Sequence, residues 1–161
     1  MEDVATSKVS HRPLLFIYKD LVEGRGFVAE VVAHGRALAV REGAEDFSLY
    51  GVNPGGLAAE GSSEEDAHAE FRRVYTLVLH DIAYSARNYD EFRAEVQRFF
   101  HETNVPTEKE WLSAVEEVRK GHVNVDLPVQ PADSPRFVEV TLQETRATQS
   151  RPVNAERVIA A

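Results

Sequence analysis

The chain has 161 residues, 43% of them hydrophobic and 28% charged, which suits one folded domain and excludes wholesale disorder. It contains no cysteine and carries a formal net charge of −9. Disulfides, thiolate metal sites and cysteine catalysis are therefore excluded, and the acidic balance disfavours direct nucleic-acid binding.

Residues 1–13 lack periodicity, end at Pro13 and read as a flexible leader. A single domain is expected over 14–144, with a loose polar tail over 145–161. Leu14–Lys19 and Phe27–Ala33 are rich in β-branched and aromatic residues and flank Gly24-Arg25-Gly26, the pattern of a β-hairpin. Gly35 permits a second turn, which makes Arg36–Glu42 a third strand. Phe47–Val52 is a fourth, with Phe47, Leu49 and Gly51 on one face. Asn53-Pro54-Gly55-Gly56 is the strongest turn signal in the chain, and Leu57–Glu60 follows it as a short strand.

Ser62 with Glu65 fits a capping box, and Glu64, Glu65 and Asp66 suit the positive end of a helix dipole. From there Ala67, Phe71, Val74, Tyr75, Val78, Leu79 and Ile82 recur at helical spacing. A second helix opens at Asn88, with Phe92, Val96, Phe99 and Phe100 as its stripe. A third opens at Thr107, with Trp111, Leu112, Val115 and Val118, and ends at Gly121. Val123–Leu127 alternates as a strand, Pro128–Pro135 is a breaker cluster, and Phe137–Gln143 alternates again with Val138, Val140 and Leu142 on one face. Strands followed by helices predict an α+β fold. The expected architecture is an antiparallel sheet with a long helix packed across it, two further helices at about 88–120, and C-terminal strands.

Chemical motifs are scarce. None of the six histidines forms a close pair with another. Glu64 and His68 lie one helical turn apart, but two ligands do not make a metal site. His80 and Asp81 are adjacent and do not face each other on a helix. The glycine-rich segments lack the Lys-Ser/Thr of a P-loop and the three spaced glycines of a dinucleotide loop, so they read as turns. There is no Gly-x-Ser-x-Gly elbow. Trp111, Phe99 and Phe100 lie on helical stripes beside glutamates and read as core, not as a base-stacking surface. No catalytic residue, cofactor or metal site is expected.

Gly26-Phe27-Val28-Ala29-Glu30-Val31 resembles the second strand of the HicB-like antitoxin family. Asn53 to Ala67 resembles that family's main signature, a Pro-Gly turn, a short strand, a Gly-Ser cap and an acidic helix start. In this resemblance Pro54, Gly55 and Gly56 form the turn, and Gly61 the strand exit. Ser62 or Ser63, with Glu65, caps the helix, and Ala67 permits close packing. The resemblance implies a partial RNase H-like fold and a non-enzymatic role. The implied partner is a small basic RNA-cleaving toxin, with Glu64, Glu65 and Glu70 as its contact residues. The chain departs from the family by the segment 32–52 and by the helices after residue 88. It offers no C-terminal DNA-binding motif, so operator binding is not expected.

Strands Leu14–Lys19 and Phe137–Gln143 come from the two ends of the domain, and their edges are expected to favour a homodimer. The readings that compete with an interaction module are a small-molecule-binding or enzymatic domain and a self-assembling structural protein. No apolar run approaches the roughly 20 residues that span a bilayer. Met1-Glu2-Asp3-Val4 is acidic where a secretory signal is apolar. No membrane association is expected, and a cytoplasmic location is.

Overall fold

The computed structural model describes residues 9–121 and 137–145. They form β1 (Ser10–Gly24), β2 (Phe27–Gly43), β3 (Asp46–Asn53), β4 (Ala58–Gly61), α1 (Glu64–Ser85), α2 (Tyr89–His101), α3 (Val105–Arg119) and β5 (Phe137–Thr145). This is the expected α+β fold. The strand read at Val123–Leu127, the Pro128–Pro135 cluster and most of the leader and tail lie outside the described residues. Among the described residues no helix is long and apolar enough to cross a membrane.

All strand pairing is antiparallel. β1 and β2 pair along their whole length, from Gly24 opposite Phe27 to Ser10 opposite Arg41. Their turn depends on Gly26, whose φ of 77° lies where side chains with a Cβ are strained. β1 begins at Ser10, before the expected Leu14, and so includes Pro13. Proline is compatible with a strand that, among the described residues, pairs on one side only.

β2 is one strand where the sequence suggests two. Gly35 does not turn the chain; it pairs with Phe16. A Cβ there would lie 2.2 Å from the Phe16 ring and 2.3 Å from the Asn53 carbonyl oxygen. The glycine thus admits a close crossing. It also marks the point where β2 changes its second neighbour. Residues Arg36–Gly43 pair with β3, and residues Phe27–His34 pair with β5. β3 and β5 run in the same direction, end to end. β3 departs at Asn53 opposite Arg36, and β5 starts at Phe137 opposite His34. Among the described residues, β4, α1, α2 and α3 fall between β3 and β5 in sequence. The segment 32–52, extra to the family pattern, completes β2 and supplies β3.

Two cores lie on opposite faces of β2. Phe27, Ala29, Val31, Ala33 and Ala37 pack with Phe71, Tyr75, Leu79 and Ala83 of α1 and with Phe92, Val96 and Phe100 of α2. Leu38, Val40 and Val52 pack on the other face with Trp111, Ala114 and Val115 of α3. Burial on both faces explains why Arg36–Glu42 alternates only imperfectly in sequence.

The helices start where capping chemistry puts them. Ser63, and not Ser62, caps α1, its side chain accepting the Asp66 N–H at 3.0 Å. Ser62 instead donates to the Asp66 carboxylate at 3.0 Å, and Glu65 is exposed. Asn88 caps α2 as expected, accepting the Glu91 N–H at 2.8 Å. α3 starts earlier than Thr107, with Asn104 as cap accepting the Thr107 N–H at 3.2 Å. Pro106 lies in the first turn, where its missing N–H is not needed. The buried line of α1 is Ala67, Phe71, Tyr75, Leu79 and Ala83, while Val74, Val78 and Ile82 flank it half-buried. On α3, Leu112 is 43% exposed and Ala114 takes its place in the core. Leu142, expected inward with Val138 and Val140, is 41% exposed although it keeps their register opposite Ala29; the register shift lies just beyond it.

Leu79 is therefore the centre of the α1 contact. Leu79→Ala is expected to lose about 2–5 kcal/mol, the range for a truncated core leucine. Val78→Ala is expected to lose about 1 kcal/mol or less. Urea unfolding of the two variants measures the difference, and equal losses would refute this helix phase.

Candidate functional site

The strongest polar assembly surrounds Arg36, which is 2% exposed. Its Nε and Nη2 donate to Asn53 Oδ1 at 3.1 and 2.6 Å. Nη2 also donates to Glu108 Oε2 at 2.7 Å. The guanidinium lies over the Trp111 ring, 5.0 Å from its centroid. Asn53 in turn donates through Nδ2 to Thr103 Oγ1 at 2.8 Å. One cation thus binds the end of β3, the α2–α3 connection and the first turn of α3. This is structural chemistry: the partners converge on each other, and a buried charge needs such company. Its one signal in the sequence is that Arg36 is the sole Asp, Glu, Lys or Arg between Val31 and Val40.

A second assembly joins β1 to α1. Arg72 donates to Asp20 Oδ2 at 2.9 Å and to the Lys19 carbonyl at 3.2 Å, and stacks over Tyr18 at 4.3 Å. Burial pushes the Tyr18 hydroxyl above its ordinary pKa, and it pushes Tyr75 further in the same direction. The Tyr75 hydroxyl is buried, its ring lies among aromatic rings, and it has no hydrogen-bond partner among the described residues. Both phenols are held neutral at ordinary pH.

The turn and cap residues occupy structural places. Pro54 is buried and leads out of β3. Gly55 donates its N–H to the Glu102 carbonyl at 2.8 Å, and a Cβ on it would meet Asn104 N at 2.3 Å, so no larger residue fits. Gly56 faces open space. A Cβ at Gly61 would meet Ala67 N at 2.5 Å, which ties the β4 exit to the start of α1.

The acidic residues nominated for a partner are partly engaged within the chain. Glu64 pairs with Arg12 and lies 3.8 Å from His68. Glu70 holds Arg73 through contacts of 3.0 and 2.6 Å. Glu65 is exposed. Desolvation and then the nearby Arg12 charge depress the His68 pKa below 6.5. A cavity of about 120 Å³ beside this group is lined by Ser10, Arg12, Arg41 and Glu64, so its cations already face a carboxylate. Among the described residues no three His, Cys, Asp or Glu side chains gather as metal ligands.

The strand edges are also engaged. On β5 the carbonyls of Val138 and Val140 point to one edge and accept from Gln97 at 3.4 Å and Tyr89 at 3.0 Å. On β1 the Leu14 carbonyl accepts from Trp111 Nε1 at 3.3 Å. Helix side chains thus supply donors that a strand of a second copy would otherwise offer.

A groove of about 580 Å³ lies between α1 and α2. Val78, Ile82 and Ala86 supply its apolar lining, while Asp81, Glu91, Glu95 and Arg87 stand at its rim. No family model, curated protein or solved structure matches the chain.

Two outcomes follow from these assemblies. Arg36→Ala is expected to destabilise the protein by about 3–5 kcal/mol in denaturant titration, as for a broken buried ion pair. A loss below about 1 kcal/mol would show that the network is dispensable. Tyr75→Phe removes an unsatisfied hydroxyl without leaving a large void. It is expected to be neutral or to raise stability by about 1 kcal/mol, and a clear loss in thermal unfolding would show that the hydroxyl has a bound partner.

Proposed function

We propose that this chain is a non-enzymatic protein-binding module of the antitoxin kind, whose partner is a small basic RNA-cleaving protein. The reading starts from the resemblance of Gly26–Val31 and Asn53–Ala67 to HicB-like antitoxins. One structural observation carries it: seven of the ten arginines among the described residues are spent internally. Arg12, Arg36, Arg72, Arg73, Arg87, Arg98 and Arg119 each pair with a carboxylate of the same chain. With 27 acidic residues against 18 basic ones, the carboxylates left over set a negative outer field. Such a field speeds encounter with a cationic protein and repels phosphates.

The helix-capped carbonyls on β1 and β5 support a partner held by side chains on a helical surface, in preference to strand addition. Exposed Leu77 and Tyr84, 48% and 77% accessible, lie on the outer side of α1. They add the apolar and aromatic contact area that protein interfaces favour.

The test looks for a small basic protein encoded in a neighbouring reading frame and co-expresses it with this chain. The expected result is relief of its toxicity and a complex on size exclusion whose association rate falls steeply with added salt. Absence of both the complex and the relief would overturn the reading.

A further inference from the structure

We propose that the α1–α2 groove is the docking site for an amphipathic helix of the partner, one with lysine or arginine flanking its apolar stripe. This rests on the reading of the chain as a binder of a basic protein. α1 and α2 are joined by only a few residues and lie side by side, with the Tyr75 and Phe99 ring centroids 6.3 Å apart. The groove between them is lined by Val78, Ile82 and Ala86. The apolar lining along α1 spans Val78 to Ala86, about 12 Å at the helical rise, which matches roughly two turns of a third helix. Val78 and Ile82 are half-buried, so apolar surface reaches the groove while the same residues still touch the core.

The rim determines the sign of the occupant. Asp81 stands on the α1 side, Glu91 and Glu95 on the α2 side. Arg87 is the cation at the rim, and it is held by Glu91 through Nη2 at 3.1 Å and through its backbone N–H at 2.6 Å. Glu95 pairs with Arg98 at 2.7 Å, an exposed pair of the kind that holds weakly. Apolar lining with carboxylates on both banks fits a helix of apolar centre and cationic flanks, the helix-in-groove mode of recognition. A second copy of this chain is a poorer fit. Its α3 presents Lys109, Glu110, Glu116 and Lys120 outward, a mixed-charge face.

The test uses a synthetic leucine–lysine amphipathic helix as probe, read by fluorescence anisotropy, with a leucine–glutamate helix as counter-probe. Three variants are compared: Asp81→Lys with Glu95→Lys on the rim, Ile82→Asp in the lining, and Glu110→Lys on α3 as a control of equal charge type. Circular dichroism checks that each is folded, and the rim pair decides the matter if Ile82→Asp is not. The expected result is at least tenfold weaker binding of the lysine probe by the rim pair, tighter binding of the glutamate probe, and little change for Glu110→Lys. Equal loss from Glu110→Lys and the rim pair, or no loss from the rim pair, overturns the groove. So does a wild-type dimer on light scattering that Ile82→Asp dissolves, since a second copy then fills it. If the rim pair fails to weaken the co-expressed complex while that complex forms, the groove is wrong and the module reading survives. If no complex forms, the module reading itself fails.

Discussion

A guanidinium almost wholly removed from water must be surrounded by acceptors, and the rest of this fold is arranged around meeting that demand for Arg36. The residue sits beside a register irregularity in β2, where the strand gives up β5 as a neighbour and takes β3. Asn53 reaches it across the sheet, Glu108 comes from α3, and the Trp111 ring closes over it. These partners belong to segments that share no local contact in sequence. Desolvating the ion is worthwhile only if all of them arrive in register, so the arrangement selects one placement of α3 on the sheet. Apolar packing against Leu38 and Val52 would tolerate sliding; a forked ion with directed hydrogen bonds does not.

The parts of the fold that could be read from the sequence are those decided by neighbours a few residues apart. α1 announced itself through a cap, an acidic first turn and an apolar period, and only its cap slipped by one position, because Ser62 and Ser63 are chemically equivalent until the backbone is seen. The α2 cap at Asn88 had no such competitor. What depends on distant partners was hidden. Gly35 looks like a turn because glycine usually serves local geometry, yet here it answers to Phe16 and Asn53. Nothing near Arg36 in sequence marks it as buried, because its acceptors lie 17 and 72 positions away. The groove was invisible for a related reason. Val78 and Ile82 appear in sequence as members of one core stripe, and only the placement of α2 shows which side of that stripe remains open.

The same economy of charge runs through the surface. Arg73, Arg87, Arg98 and Arg119 each hold a glutamate three or four positions away on a helix or at its end. Exposed pairs of this spacing add little to stability. Their larger consequence is electrostatic, since cations engaged in this way leave the unpaired carboxylates to define the outer potential. Glu64 and Glu70, prominent in sequence, are among the engaged groups. Glu91 and Glu95, at the junction of α1 and α2, are engaged in the same way, and Asp81 stands beside them.

The interruption between β3 and β5 has a kinetic meaning. β1, β2 and β3 are joined by tight turns, and the contacts among them close short loops. They can form early, and so can the half of β2 from Arg36 onward, which has both its neighbours close at hand. The other half, Phe27 to His34, gains its second neighbour only when the chain returns from Pro54 by way of three helices. Closing a loop of that length is slow relative to hairpin formation. Gly35 therefore separates a half of β2 whose neighbours on both sides are local from a half whose second neighbour, β5, is reached only by the longest loop closure in the sheet.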